Sequence, residues 1–388
     1  MNSKEWKEVT LGDICVLNYG KALTAKNRID GDIPVYSSAG ITGYHNSPLV
    51  ESEGIIIGRK GSVGTVYYSV SPFFCIDTAY YVLPNEDYNL KYLFYRLKSL
   101  GLENMNEDSA VPGLNRDTAY AQKFLFPPYD EQLRIADTLS SLDGKIEVNN
   151  NINKNLEEIA QAIFKSWFVD FEPFQDGKFE DSEFGKIPNG WRVGTISDLG
   201  DVIGGSTPSK AQAEYYTDDG IAWITPKDLS INKNKFISKG EIDITDLGLK
   251  NSSTKIMPKG TVLFSSRAPI GYIAIAKNDV TTNQGFKSVV PKSNIGTAYI
   301  YYFFKNNIEM IESRASGSTF KEVSGSVMKQ IPALIPDDNT LKDFQEICNV
   351  YFEKQMLLES QNQTLLTLRD ALLPKLMSGE IRVPLEEV

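Results

Sequence analysis

The sequence predicts an α+β chain in which one unit occurs twice. Each unit is a globular block followed by a long helix, and the two helices pair as an antiparallel coiled coil. Three observations carry this reading. The chain repeats itself, two segments show a seven-residue apolar period, and the blocks between them hold short β-branched runs broken by glycines. A length of 388 residues suits two domains with something added.

The repeat sets the architecture. Trp6-Lys-Glu-Val-Thr-Leu-Gly-Asp-Ile14 is matched by Trp191-Arg-Val-Gly-Thr-Ile-Ser-Asp-Leu199, at an offset of 185. Ser62-Val-Gly64 matches Pro269-Ile-Gly271, and Tyr92–Leu97 matches Tyr299–Phe304, both at 207. Leu156–Ala160 matches Leu368–Leu372 at 212, so the second copy is longer by 27 residues. Of these, 22 precede Gly271, roughly within 212–250.

Within the blocks, Gly54–Gly58 and Val63–Tyr68 read as strands, with Thr261–Phe264 and Tyr272–Ala276 as their counterparts. Tyr92–Leu100 and Ala298–Asn306 read as short helices. The alternation is too irregular for a doubly wound sheet. The heptads follow. Ile135, Leu142, Asn149, Leu156 and Ile163 form one seam, and Leu139, Ile146, Asn153, Ala160 and Trp167 the other. The second helix offers Ile347, Tyr351, Lys354, Leu358, Gln361, Leu365, Leu368 and Leu372, with Pro374 and Gly379 ending it. About 33 residues of helix span roughly 50 Å. An antiparallel pair brings Asn149 and Asn153 near Gln361 as a polar layer. The alternative is a break, because five asparagines fall within 149–155 and asparagine is a weak helix former.

Composition narrows the function. Hydrophobic residues are 41% and charged residues 23%, as in ordinary globular proteins. No run of about 18 apolar residues suggests a membrane span, and Met1–Trp6 shows no signal-peptide core. Three distant cysteines, Cys15, Cys75 and Cys348, fit neither a disulfide framework nor zinc spacing, so a cytoplasmic location is expected. One histidine, His45, leaves little room for a His-ligated metal or a Ser-His-Asp triad; it is expected in a turn.

The net charge is −10, unlike a solitary nucleic-acid binder, but it is unevenly placed. Residues 1–129 carry 12 basic and 14 acidic side chains, 130–184 carry 5 and 13, 185–338 carry 18 and 15, and 339–388 carry 5 and 8. Two near-neutral blocks thus alternate with two acidic ones.

Signatures of catalysis are weak. Gly58-Arg-Lys-Gly-Ser62 lacks Walker A spacing. Phe126-Pro-Pro-Tyr129 has Phe where the adenine-methyltransferase motif needs Asn or Asp. Asp218-Asp219 and Asp337-Asp338 read as solvated loop charges. What remains are polar loops at matching places in both copies, rich in groups that suit phosphates and base edges. The candidate DNA-contacting residues are Asn18, Lys21, Ser38, Arg59, Lys60, Ser62, Asn115 and Arg116 in the first copy. In the second they are Ser206, Thr207, Lys210, Lys227, Ser266, Arg267, Gln284, Lys287, Thr319 and Lys321. Lys60 and Arg267 correspond, each four residues before the shared glycine. No catalytic or metal-ligating residue is assigned.

The chain resembles the DNA-specificity subunits of type I restriction-modification systems over nearly its whole length. The carriers are the Trp-to-Asp openings (Trp6–Asp13 and Trp191–Asp198), Gly205-Ser-Thr-Pro208 and Ile224-Thr-Pro-Lys-Asp-Leu229. Asp130–Ile135 opens the first helix, Ala162–Phe168 closes it, and Leu372–Gly379 closes the second. Leu341–Gln345 departs from the Glu131-Gln132 pattern at the second helix opening. The resemblance implies target-recognition domains at 1–129 and 185–338, a spacer helix and linker at 130–184, and a second spacer helix with a tail at 339–388. It implies a non-catalytic subunit that reads a bipartite double-stranded DNA site, one half per domain. Methyltransferase subunits, two of them, and restriction/translocase subunits are the implied partners. No cofactor is expected on this chain; S-adenosylmethionine, with ATP and magnesium for restriction, is expected in the partners. The competing readings are a coiled-coil adaptor without DNA contact and a stand-alone DNA-modifying enzyme.

Overall fold

A computed structural model describes residues 5–105, 113–317 and 321–383. The chain divides into two units, Met1–Glu147 with Asn362–Val388, and Val148–Gln361. Both long helices cross this division.

The first unit opens with strand Lys7–Thr10, paired antiparallel to Lys123–Phe126. Thr10 N–H donates to Asp13 Oδ2 at 2.8 Å, closing the helical turn that follows. Trp6 donates its indole N–H to Glu131 at 2.8 Å, which ties the start of the block to the first long helix. A four-stranded sheet follows, in the order Asn18–Tyr19, Ala79–Val82, Gly54–Gly58, Val66–Ser69. A second sheet places Ile33–Ser37 between Gly40–His45 and Phe74–Cys75. Strand Gly54–Gly58 is buried throughout, so its isoleucines serve the core on both faces. His45 ends a strand rather than lying in a turn. Its ring is buried, with Nδ1 accepting from Ile29 N–H at 3.0 Å.

The second unit repeats this plan. Arg192–Thr195 pairs with Pro332–Ile335, Thr195 N–H donates to Asp198 at 2.9 Å, and Trp191 donates to Asp337 at 2.9 Å. Asp337 is therefore not a solvated loop charge. It also accepts from the N–H groups of Asn339 and Thr340, capping the helix that starts at Asp338. Burial raises its pKa, but the bonds from Thr340, Trp191 and Asn339 outweigh that and hold the carboxyl low. The helix opening that lacks Glu-Gln is thus built by Asp337. Gln345 takes over the part of Gln132: each amide oxygen receives an N–H from the start of the block's short helix, from Ala298 in its first turn and from the N-cap Asn89 respectively, at 2.9 Å.

The large sheet runs Gly200–Gly204, Lys287–Pro291, Val262–Ser266, Ile270–Ala276, Phe236–Ile237. Its first four strands match the first unit's four in order and direction. The extra length is localised. In the first unit two residues join Ile33–Ser37 to Gly40–His45. In the second, helix Pro226–Ile231 and strand Phe236–Ile237 lie between Ile221–Ile224 and Asp243–Ile244. That inserted strand becomes the sheet's fifth, parallel to Ile270–Ala276.

The long helices are Tyr129–Phe168 (40 residues) and Asp338–Ser378 (41 residues), longer than the sequence estimate. The asparagines of 149–155 do not interrupt the first. Both of its predicted seams are buried or half-buried along their whole length. In the second helix the seam through Tyr351, Leu358, Leu365 and Leu372 is covered as expected, but Lys354, Gln361 and Leu368 are exposed. The other covered line is Cys348, Gln355, Asn362, Arg369 and Leu376. Three polar residues at seven-residue spacing hide this seam from an apolar pattern.

Those polar groups are matched. Within the second unit Gln355 Nε2 donates to Asn153 O at 3.0 Å, and Asn149 Nδ2 to Gln361 Oε1 at 3.5 Å. Within the first, Arg369 Nη1 donates to Asp143 Oδ1 at 2.7 Å. The partner numbers fall on one helix as they rise on the other, so the strands of this pair run antiparallel. Pro374 does not end the second helix. Leu376 and Met377, both buried beyond it, pack with Ile135 and Leu139, and Arg96 Nη2 caps Met377 O at 2.7 Å. The helix stops at Gly379, whose φ of 77° suits glycine.

Candidate nucleic-acid interface

In the first unit three separate loops meet at one corner of the four-stranded sheet. Gly54–Gly58 runs out into Arg59 and Lys60, whose N–H groups both donate to Thr78 O at 2.9 and 3.0 Å. Gly58 is held there by close approach: a Cβ would lie 2.0 Å from Ser62 O. Leu114 N–H donates to Arg59 O at 2.8 Å, which brings in the third loop. Asn115 Oδ1 then caps helix Arg116–Tyr120 by accepting from Asp117 and Thr118.

The result is a cleft of about 510 Å³ lined by Tyr19, Arg59, Lys60, Tyr80 and Gly113–Asp117. Tyr19 is its platform. The guanidinium carbons of Arg59 and Arg116 lie 4.9 and 5.2 Å from its ring centroid. Tyr80 meets Tyr19 edge-on at 5.0 Å, and burial followed by the Tyr19 contact pushes its pKa up to about 12. Among the described residues, Arg59, Lys60 and Arg116 have no carboxylate ion-pair partner. Arg59 and Arg116 are held against ring faces, with Arg59 Nη1 donating to Asp77 O at 3.2 Å, and Lys60 is exposed beside them, so cationic groups gather at this cleft in a way that fits an acceptor-rich ligand.

The other candidates of this unit lie outside that set. Asn18 commits its amide to Tyr81 O and Val16 O at 3.3 and 3.4 Å. Ser38 is buried, accepting at its carbonyl from Thr65, while Lys21 and Ser62 are exposed.

At the corresponding corner of the second unit, Arg267 follows strand Val262–Ser266 as Lys60 follows Gly54–Gly58. The shared glycine after each has positive φ, 73° at Gly64 and 98° at Gly271. Ser266, Arg267, Gln284 and Lys287 come together here. Arg267 Nη1 lies 3.5 Å from Glu322 Oε2, and Lys287 Nζ lies 3.1 Å from Glu322 Oε1. Lys287 also donates to Ser266 Oγ and Gln284 O, each at 3.4 Å. The Gln284 amide oxygen accepts from Thr207. Ser206 is tied down by Thr282 O and Trp223, and Lys210 and Lys321 are exposed. Lys227 pairs with Glu241, whose hydrogen bond and charge raise its pKa. Thr319 lies outside the described residues.

Sequence reasoning missed Tyr19, Tyr80 and Glu322. Tyr19 and Glu322 adjoin residues that were singled out, and only the sheet pairing reveals what they face. Nucleophilic chemistry finds little here. Burial pushes the thiols of Cys15, Cys75 and Cys348 up to about 12.

Comparison with known proteins agrees with the duplication. The family described as "Type I restriction modification DNA specificity domain" matches residues 3–158 and again 188–366. The type I restriction enzyme MjaIX specificity subunit of Methanocaldococcus jannaschii is 44% identical over 188 residues, covering 48% of this chain and 43% of that protein. The HindI specificity subunit of Haemophilus influenzae is 28% identical over 336 residues, covering 71% of this chain and 72% of its own length. The chain thus spans less than half of the first relative and about three quarters of the second. The crystal structure of the type I restriction-modification S subunit from M. genitalium aligns over 97% of both chains with a TM-score of 0.64 at 17% identity, which speaks to the fold. No described helix is long and apolar enough to cross a membrane.

Proposed function

The chain belongs to the type I restriction-modification DNA specificity family, and from that premise we propose that it reads a bipartite double-stranded DNA site, one half with each unit. In this reading it is itself non-catalytic. It docks methyltransferase subunits, two of them, and restriction/translocase subunits. S-adenosylmethionine, ATP and magnesium enter with those partners.

One observation carries the reading. Topologically equivalent corners of two duplicated sheets both gather cationic and amide side chains from loops far apart in sequence, around Tyr19 in one unit and Glu322 in the other. Such groups suit phosphates and base edges. The net charge of −10 supports the dependence on partners, because a chain so charged gains little from phosphate neutralisation alone. The family relationship favours neither the coiled-coil adaptor nor the stand-alone enzyme.

The test is methylome sequencing of a host that expresses the methyltransferase subunits with and without this chain. A bipartite methylated motif that appears only when the chain is present is the expected result. Methylation independent of the chain would refute the reading.

A further inference from the structure

The two corners are equivalent in topology and both hold cations, with Asp117 also lining the first; they differ in chemistry at one position, the bridge. In the first unit Lys60 forms an isolated antiparallel bridge with Gly113; in the second, Arg267 forms the same bridge with Glu322. Two residues later each segment caps its short helix, with Asn115 and Ser324. The next residue is Arg116 in one unit and Gly325 in the other. Across the sheet, Tyr19 pairs with Tyr80 where Gly204 pairs with Lys287. The first corner therefore holds cations on aromatic faces, with a bare glycine at the bridge. The second places a carboxylate there, between two cations.

A carboxylate at a DNA-facing corner opposes phosphate and offsets the cations beside it. It is also the residue type that accepts an exocyclic amino group in the major groove. Glu322 gives one oxygen to Arg267 and the other to Lys287. An ionised carboxylate has about four acceptor sites, so capacity remains. Its side chain is 35% exposed and that of Arg267 36%, so a base edge can reach both. Lys287, at 14%, lies behind them as the buried counter-charge.

We propose that Glu322 determines specificity in the second unit: it accepts the exocyclic amino group of a cytosine or adenine and holds Arg267 for an acceptor edge beside it. This rests on the DNA-reading function proposed above. The two half-sites then differ in kind. At the bridge the first unit presents Lys60 opposite a bare glycine, and the second presents a donor and an acceptor side by side.

Glu322→Ala and Glu322→Gln, each expressed with the methyltransferase subunits, test this by methylome sequencing against the parent. The alanine variant is expected to relax one amine-bearing position in one half-site, with discrimination falling roughly 10- to 100-fold. The glutamine variant keeps an acceptor oxygen and should keep the base preference at reduced discrimination. The other half-site stays unchanged in both. Relaxation at a cytosine or at an adenine identifies which amine is read. If the alanine variant fails to assemble, the glutamine variant decides by the same criterion. An unchanged motif in both variants would overturn the assignment, and so would equal relaxation in both, which would mean charge rather than acceptance. A parent chain that directs no motif would instead remove the DNA-reading function itself.

Discussion

Replacing Lys235 with methionine should destabilise the second unit by about 3 kcal/mol, a magnitude set by what the ammonium leaves behind. Lys235 lies in the inserted segment, with its side chain 6% exposed. It pairs with Glu157 of the first long helix, donates to Gln355 of the second at 2.6 Å and to Tyr302 at 3.1 Å. Phe352 covers it, with a centroid distance of 4.5 Å. Methionine keeps the apolar stem and removes the charge. Glu157, only 18% exposed, then retains Lys305 at 2.6 Å as its single cation. Breaking a buried pair costs about 3–5 kcal/mol, and the surviving partner argues for the lower end. Urea denaturation at neutral pH measures the loss as a shift in midpoint at constant slope. Adding Glu157→Gln should recover much of it, because the stranded charge is then gone. The acid limb should respond too. Burial raises the Glu157 pKa, but Lys235 and Lys305 outweigh it, so the carboxyl stays below its usual 4.5. A lowered folded pKa contributes stability above pH 4.5 that is lost as pH falls through the folded value. In Lys235→Met that contribution shrinks. A variant as stable as the parent would refute the idea that this cluster anchors the inserted segment to the helices.

Other outcomes are equally specific. Arg267→Ala should cost about 1–3 kcal/mol of discrimination at one base pair if it reads a guanine, and a uniform loss across sequences if it touches only phosphate. Lys60→Ala should act on the other half-site. Competition binding by the assembled complex separates these, and unchanged affinity and motif in both would remove the pair from the interface. The isolated chain should bind DNA weakly at physiological salt and gain specific affinity with its methyltransferase partner; tight, specific binding by the chain alone would contradict the charge argument. Inserting seven residues at Asn151, with a matched insertion beside Gln361, should lengthen the unread gap by about three base pairs, from roughly 1.5 Å per helical residue and 3.4 Å per base-pair step. Methylation mapping that returns the parental gap would show that the helices do not set the spacing.

Much of the fold was legible because the duplication let each weak signal be read twice. Gly54–Gly58 fell where its β-branched run put it, and the short helices lie within two residues of Tyr92–Leu100 and Ala298–Asn306. The second coiled-coil seam was misread because Gln355, Asn362 and Arg369 occupy it, and polar residues carry no apolar period. Pro374 was misread because buried Leu376 and Met377 carry the helix past a residue that local propensity treats as a stop. At the interface, Arg59, Lys60, Asn115 and Arg116 could be picked out as loop residues of the right type. Their meeting around Tyr19 depends on long-range sheet pairing, which no local pattern encodes. Glu322 was not picked out, because its bridge to Arg267 is long-range and no local pattern in the sequence encodes it.

The central claim is that each unit reads its own half of the site. The direct measurement replaces residues 1–129 with the equivalent domain of a relative, expresses the hybrid with the same methyltransferase subunits, and maps the methylated sequence. The account predicts that one half of the motif changes and the other stays as in the parent. A change in both halves, or in neither, would contradict it.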